Sequence, residues 1–381
     1  MARSLSDLVR TRRVLITVGA GGVGKTTTAA ALAVAAAREG KRVLCLTIDP
    51  AKRLAESLGL QTIDTEAVKI DKKRFDAAGV PMKGELTVMM LDTKTTFDEL
   101  VNKYSSSPEK AKKLLDNKLY QYVSTSLAGT QEYMAVEKLV AVKDDPRWDL
   151  VVLDTPPTSN ALDFLDAPDR LMDALDSATM KWFVQAFEKS GKLSMNLLAK
   201  SAAVVLRGIG RITGGGFLEQ MAELITELNE LFGGFKERAA IVHATLRSDD
   251  VAFVLVTSPA PMSLREVRYF AERLIDHRMP LGAFVVNRLH VPPRAASAPA
   301  SETEARSAMA AAHVDLGDDG PSRVARAHAD AFALATLDAR HVKVIDEFSA
   351  RAPVVRVPEL ASDVHDLPLL AHLADTLTAA P

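Results

Sequence analysis

Residues 17–40 read TVGAGGVGKTTTAAALAVAAAREG. The residues leading into them, RVLITV at 13–18, are short, apolar and β-branched, which predicts a strand buried on both faces. Gly19, Gly21, Gly22, Gly24, Lys25 and Thr26 then spell G-x-G-G-x-G-K-T, inside the broader pattern of a glycine, four residues and G-K-T. Glycines let the backbone bend so that successive N–H groups converge on phosphate oxygens, and the helix that follows adds its positive end. Lys25 is placed to reach the outer phosphates and the Thr26 hydroxyl to bind magnesium. Gly21, Gly22, Val23, Gly24, Lys25, Thr26 and Thr27 are thus the candidate nucleotide-binding residues. A glycine turn with no ligand is the competing interpretation, and the strand before and helix after weigh against it. The alanine-rich helix is expected to end near Gly40, a suitable left-handed terminator.

Six further runs match buried strands: RVLCLTI (42–48), ELTVMML (85–91), WDLVVLD (148–154), VAFVLVT (251–257), LGAFVVN (281–287) and APVVRVP (352–358). Helical patterns separate them, which predicts an α/β fold with a doubly wound, mostly parallel sheet. Right-handed crossovers then put the glycine loop at the carboxyl edge of the first strand. Asp154, ending the run at 148–154, is the expected magnesium-side carboxylate; a strand-ending aspartate otherwise serves as a turn or cap residue.

Two stretches interrupt the alternation. Residues 97–143 hold helical segments, and residues 166–245 are helical without a strand. The expected organisation is a core of residues 1–165 and 246–381, with a helical subdomain inserted at 166–245 and helices near 97–143 contributing to it. Inside the insertion, Phe217, Leu218, Met221, Leu224, Ile225, Leu228, Leu231 and Phe232 form one apolar stripe, and GIGRITGGGF (208–217) reads as a break between helices. Residues 289–322, rich in Ala, Pro and Ser, read as a flexible loop.

Composition narrows the function. The chain has 381 residues, 48% of them hydrophobic, enough for a sizeable core. A formal net charge of −2 gives no support to nucleic-acid binding. Its one cysteine, Cys45, excludes an internal disulfide framework and sits in a strand where a small core residue fits. No run approaches the ~20 apolar residues of a membrane span, and the first residues carry no apolar leader, which predicts a cytoplasmic protein.

Beyond the phosphate loop, the segments TIDPAKRLAESLG (47–59), DTPPTSNALDFL (154–165), VVNRL (285–289) and VVRVPEL (354–360) follow in an order that resembles the ArsA-type ATPases, a family of dimerising P-loop NTPases. The resemblance implies ATP and Mg²⁺ as cofactors. It implies that Asp49 and Pro50 open a first switch, with Asp49 in the magnesium shell beside Thr26 and Asp154. It further implies that Asp154, Thr155, Pro157 and Thr158 form a second switch, that Asn287 recognises adenine, and that Pro358 lines the adenine pocket. Members handle hydrophobic or transmembrane-segment clients or drive anion pumps, which implies that the helical insertion is a client surface; a self-packed helical core explains the same stripes.

Departures from the family pattern are as informative. Where members carry a lysine that crosses the dimer to the partner's nucleotide, this chain has Ala20. Glu56 stands at the position of the catalytic aspartate that orients water, one methylene longer, and Asn160 replaces a histidine. The cysteines that bind zinc or arsenite in some members are missing, so no zinc is expected. Two remedies for Ala20 are open. A paralogous partner in a heterodimer could supply the lysine, or Lys52 or Arg53 could supply charge from within. A nucleotide-binding structural subunit with little turnover and an anion-pump subunit are the alternatives. A membrane-surface positioner is disfavoured, because the apolar C-terminal helix has no lysine or arginine.

Overall fold

Val14–Val18 forms β1, and all five residues are buried, as the run of apolar side chains demands of a central parallel strand. The computed structural model describes residues 4–48, 53–60, 63–118, 120, 121, 124, 130–155, 224, 238, 240–292 and 298–379. The chain divides into two compact units: residues 1–89, 146–161 and 249–381 form one, and residues 90–145 and 162–248 the other.

The first unit is built on an eight-stranded sheet. Its strands are β1, β2 (Arg42–Thr47), β3 (Val68–Lys69), β4 (Glu85–Met90), β5 (Leu150–Asp154), β6 (Val251–Thr257), β7 (Leu281–Leu289) and β8 (Val354–Pro358), in the order β3-β4-β2-β5-β1-β6-β7-β8. β1 pairs in parallel with β5 and β6, β2 with β5, β6 with β7, and β7 with β8. The chain leaves β1 toward β2 on one side and later returns to β6 on the other. β1 is therefore the point where winding reverses, and the crevice at its carboxyl end is where such sheets take ligands. The two-residue β3, antiparallel to β4 and exposed at the edge, is too short to show as a periodic run.

Helix α1 (Leu5–Thr11) starts on a Ser4 cap, its side chain accepting from the Asp7 amide at 3.1 Å. Helix α2 (Lys25–Arg38) buries every residue from Thr28 to Ala37. A helix covered on nearly all sides needs small side chains, which is what its alanines provide. Gly40, at φ 112, ends it as expected. Short helices α3 (Arg53–Ser57) and α4 (Lys72–Ala77) follow on the β2 side of the unit.

In the second unit, α5 (Thr93–Tyr104), α6 (Pro108–Leu115) and α7 (Thr130–Lys143) carry the described structure. Phe97 meets Tyr120 edge to face at 5.7 Å. Glu137, 2% exposed, accepts from the Tyr133 hydroxyl at 2.7 Å and from Arg238 at 2.6 and 3.1 Å. The Arg238 guanidinium also lies 5.7 Å from the Tyr104 ring centre. Of the expected insertion at 166–245, only Leu224, Arg238 and residues 240–245 are described; Leu224 is buried, and the rest of the stripe and the 208–217 break lie outside the described residues.

Returning to the first unit, α8 (Pro261–Asp276) precedes β7, while α9 (Glu302–Ala311) and α10 (Gly320–Asp346) precede β8. The expected loop at 289–322 needs correcting, because residues 302–311 are helical. Ser301 and Glu304 form a capping box: the Glu304 amide donates to Ser301 Oγ at 3.3 Å, and the Ser301 amide donates to Glu304 Oε2 at 2.7 Å. Those caps and a run of good helix formers outweigh the Ala/Pro/Ser bias that suggested a loop. Finally, α11 (Leu367–Thr378) buries Leu367, Leu370, Ala371, Leu373, Ala374 and Leu377 in the same core as α1 and α2. The apolar face of the C-terminal helix is thus spent inside the unit. No described helix is long and apolar enough to cross a membrane.

Candidate nucleotide site

The carboxyl ends of five parallel strands line one edge of the sheet. Thr17 on β1 and Thr47 on β2 are both register partners of Asp154 on β5, Val18 partners Leu255 on β6, and Thr257 partners Val286 on β7. The glycine loop leaves β1 at this edge and turns into α2, so the positive end of a 14-residue helix with no acidic residue in its first turn lies there.

The loop's tight path explains two of its glycines. A Cβ on Gly19 would overlap the Val256 carbonyl oxygen of β6. Gly24, the N-cap of α2, has φ 94, and a Cβ there would overlap Asn287 Nδ2. Gly24→Ala is expected to destabilise the unit by about 2 kcal/mol, through left-handed backbone strain and the displaced Asn287. Chemical denaturation checks the first effect, and nucleotide affinity should fall with it.

Lys25 is 6% exposed, and its Nζ donates to the Ala20 carbonyl at 2.7 Å. The ammonium group is therefore held over the loop's own backbone. Thr26 and Thr27 follow in the first turn of α2, both half-buried. Val23 is buried and its carbonyl accepts from Asn287 Nδ2 at 2.9 Å, so the end of β7 is tied to the glycine loop.

Asp154 is fully buried, and its Oδ2 accepts from the Thr47 hydroxyl at 3.1 Å. Thr155 Oγ1 donates to the Thr17 carbonyl at 2.8 Å, fixing the chain as it leaves β5. Burial, with a smaller contribution from the Asp154 charge, pushes the Cys45 thiol up, so Cys45 stays a protonated core residue. The threonine hydroxyls around Asp154 and the Asn287–Val23 bond were not visible in the sequence, where they are ordinary strand-end residues.

Glu56 lies exposed on α3. Pro358 ends β8 half-buried, as the register partner of Leu289 on β7. The structure thus brings together the glycine loop, Lys25, Thr26, Asp154 and Asn287. Asp49, Pro50 and Lys52 of the first switch, the Arg53 side chain, and Pro157, Thr158 and Asn160 of the second lie outside the described residues.

The profile of the family described as anion-transporting ATPase, the ArsA ATPases, matches residues 12–319. The chain belongs to the ArsA-type ATPase family. Its relatives agree. ATPase GET3 of Phaeosphaeria nodorum is 26% identical over 289 residues, covering 74% of this chain and 78% of that protein. ATPase get3 of Pyrenophora tritici-repentis is 25% identical over 320 residues, 83% of this chain and 85% of that protein. ATPase GET3 of Blastomyces gilchristii is 27% identical over 287 residues, 74% of each. Family membership makes the chain an ATP-hydrolysing enzyme on a P-loop α/β fold.

Proposed function

We propose that this ArsA-type ATPase is magnesium-dependent and that it couples nucleotide turnover to the opening and closing of a dimer, which handles a hydrophobic client or a membrane-protein partner. The observation that carries the reading is the alignment of the glycine loop, the α2 N-terminus and the buried Asp154 at the reversal point of the sheet. In this reading the backbone of Gly21, Gly22, Val23 and Gly24 and the hydroxyls of Thr26 and Thr27 cradle the phosphates. Lys25 leaves the Ala20 carbonyl to neutralise charge on the outer phosphates, where a fixed cation stabilises the transferring group. Asn287 and Pro358 hold the adenine.

The donors near the phosphate end are hard oxygens: the Asp154 carboxylate, the Thr26 hydroxyl and, by family resemblance, Asp49. That donor set suits magnesium, while the one thiol nearby is buried and protonated. The ion would neutralise phosphate charge. Asp154 and Thr26 would hold it, and Thr47 would orient Asp154 through its hydrogen bond. Glu56, at the family's water-orienting position, is exposed and would need the first switch to bring it to the phosphates.

The test is Asp154→Asn, which keeps the size of the side chain and its bond to Thr47. Turnover is expected to fall about 100-fold with an increased magnesium requirement. Unchanged turnover and magnesium dependence would overturn Asp154's role.

A second reading has the chain as a nucleotide-binding subunit with little turnover of its own. It draws on Ala20, whose methyl group replaces the family's cross-dimer lysine. A heterodimer in which a lysine-bearing paralogue completes the site reconciles the two readings.

A further inference from the structure

Strand β7 does not run evenly to its end. Between Val286, the partner of Arg356, and Leu289, the partner of Pro358, β7 advances three residues while β8 advances two. The surplus residue forms a bulge in which Arg288 adopts φ 58. Bulges bend a strand and re-aim a neighbouring side chain. Here the neighbour is Asn287, which reaches the Val23 carbonyl in the glycine loop at 2.9 Å. A bulge holds its place only if pairing is fixed beyond it, because a slipped register turns side chains to the wrong face.

What fixes it is His290. Its backbone N–H donates to Asp338 Oδ2 at 2.9 Å, and its ring Nδ1 lies 2.7 Å from the same oxygen. Its Nε2 lies 3.1 Å from Glu359 Oε2. Asp338 is 7% exposed in the C-terminal half of α10, and Glu359 follows Pro358 directly. The Glu359 amide donates back to the Leu289 carbonyl at 2.9 Å. One imidazole therefore joins the end of β7, the end of β8 and α10, one residue past the Leu289–Pro358 pair. Buried Asp338 has little freedom to follow a displaced strand, so the joint is stiff on that side.

We infer that His290 is a positioning residue for base recognition. By bridging Asp338 and Glu359 it locks the bulge that aims Asn287 and keeps Pro358 against it, and so sets the preference for adenine over guanine. The inference rests on the proposed reading of Asn287 and Pro358 as the base pocket. Among the described residues His290 bonds to Asp338 and Glu359 and not to Lys25, Thr26 or Asp154, so its effect falls on nucleotide selection and not on the chemical step.

The test is steady-state kinetics with ATP and with GTP. His290→Phe keeps a ring and the backbone bond to Asp338 and removes both imidazole contacts, to Asp338 and to Glu359. It is expected to raise KM for ATP about 10-fold, leave kcat within about twofold, and lower the ATP-over-GTP preference by a similar factor of about 10. His290→Arg, whose guanidinium can donate to both carboxylates, is expected to restore KM to within about threefold of the starting protein. Wild-type KM and preference in His290→Phe would overturn the inference, as would a fall in kcat with KM unchanged. If His290→Phe does not fold, Glu359→Gln decides, because Glu359 is exposed. A KM rise of about threefold supports the bridge, and a wild-type KM overturns it. If the unaltered chain shows no saturable ATP dependence, the base-pocket reading itself has failed. If it saturates normally and all variants match it, only the role of His290 is lost.

Discussion

Lys25→Ala is expected to reduce ATP turnover by at least about 1,000-fold while leaving the fold intact. The magnitude comes from what the ammonium faces. In the proposed complex it lies in a water-poor crevice, against phosphate oxygens whose charge shifts as the bond breaks, and preorganised donors there are worth several powers of ten. The fold is expected to survive its removal, since Lys25 Nζ donates to a loop carbonyl, Ala20 O, that solvent can reach once the side chain is gone. Single-turnover and steady-state rates, with circular dichroism and thermal melting alongside, separate the two effects. Turnover within about tenfold of wild type would show that phosphate charge is neutralised by another group.

The second large effect concerns Ala20. If a lysine from a neighbouring subunit completes each site, the chain can be made to show it without knowing its natural partner. The double variant Ala20→Lys with Lys25→Ala offers a lysine in trans but has lost its own phosphate clamp. Mixed with the unaltered chain, it is expected to raise turnover at the unaltered sites about 1,000-fold, in line with other cations supplied in trans to phosphoryl transfer. Neither protein alone should approach that rate, and the rate should peak as the mixture approaches equal amounts. A mixture no faster than the unaltered chain would remove the trans-lysine account. The charge would then have to come from within, with Lys52 and Arg53 as the cations at hand.

Much of the architecture could be read directly from the chain. β1, β5 and β6 are continuous apolar runs because both of their faces are covered, and that pattern needs no partner to interpret. The glycine loop was equally plain, because a backbone that must turn sharply beside β6 and beside Asn287 tolerates only glycine at Gly19 and Gly24. What the sequence hid had two causes. Compositional bias hid α9, where Ser301 and Glu304 form a capping box within an Ala/Pro/Ser-rich stretch. Spatial convergence hid the rest: Thr47 and Asp154 are 107 positions apart, and His290 and Asp338 are 48 apart. No local pattern foretells that such residues meet, and the bulge that aims Asn287 exists only once β7 and β8 are paired. Ala20 is the reverse case. It was conspicuous in the sequence, and in the fold it is a half-buried residue whose carbonyl receives Lys25.

The central claim is that a nucleotide lodges where β1 turns into α2, with its metal held beside Asp154. Isothermal titration of the purified chain with ATP, in magnesium and again in excess chelator, tests it most directly. The account predicts saturable binding at one site per chain that weakens about 100-fold without magnesium and by a similar factor in Lys25→Ala. Equal affinity with and without magnesium and in Lys25→Ala, or no binding at all, would contradict it.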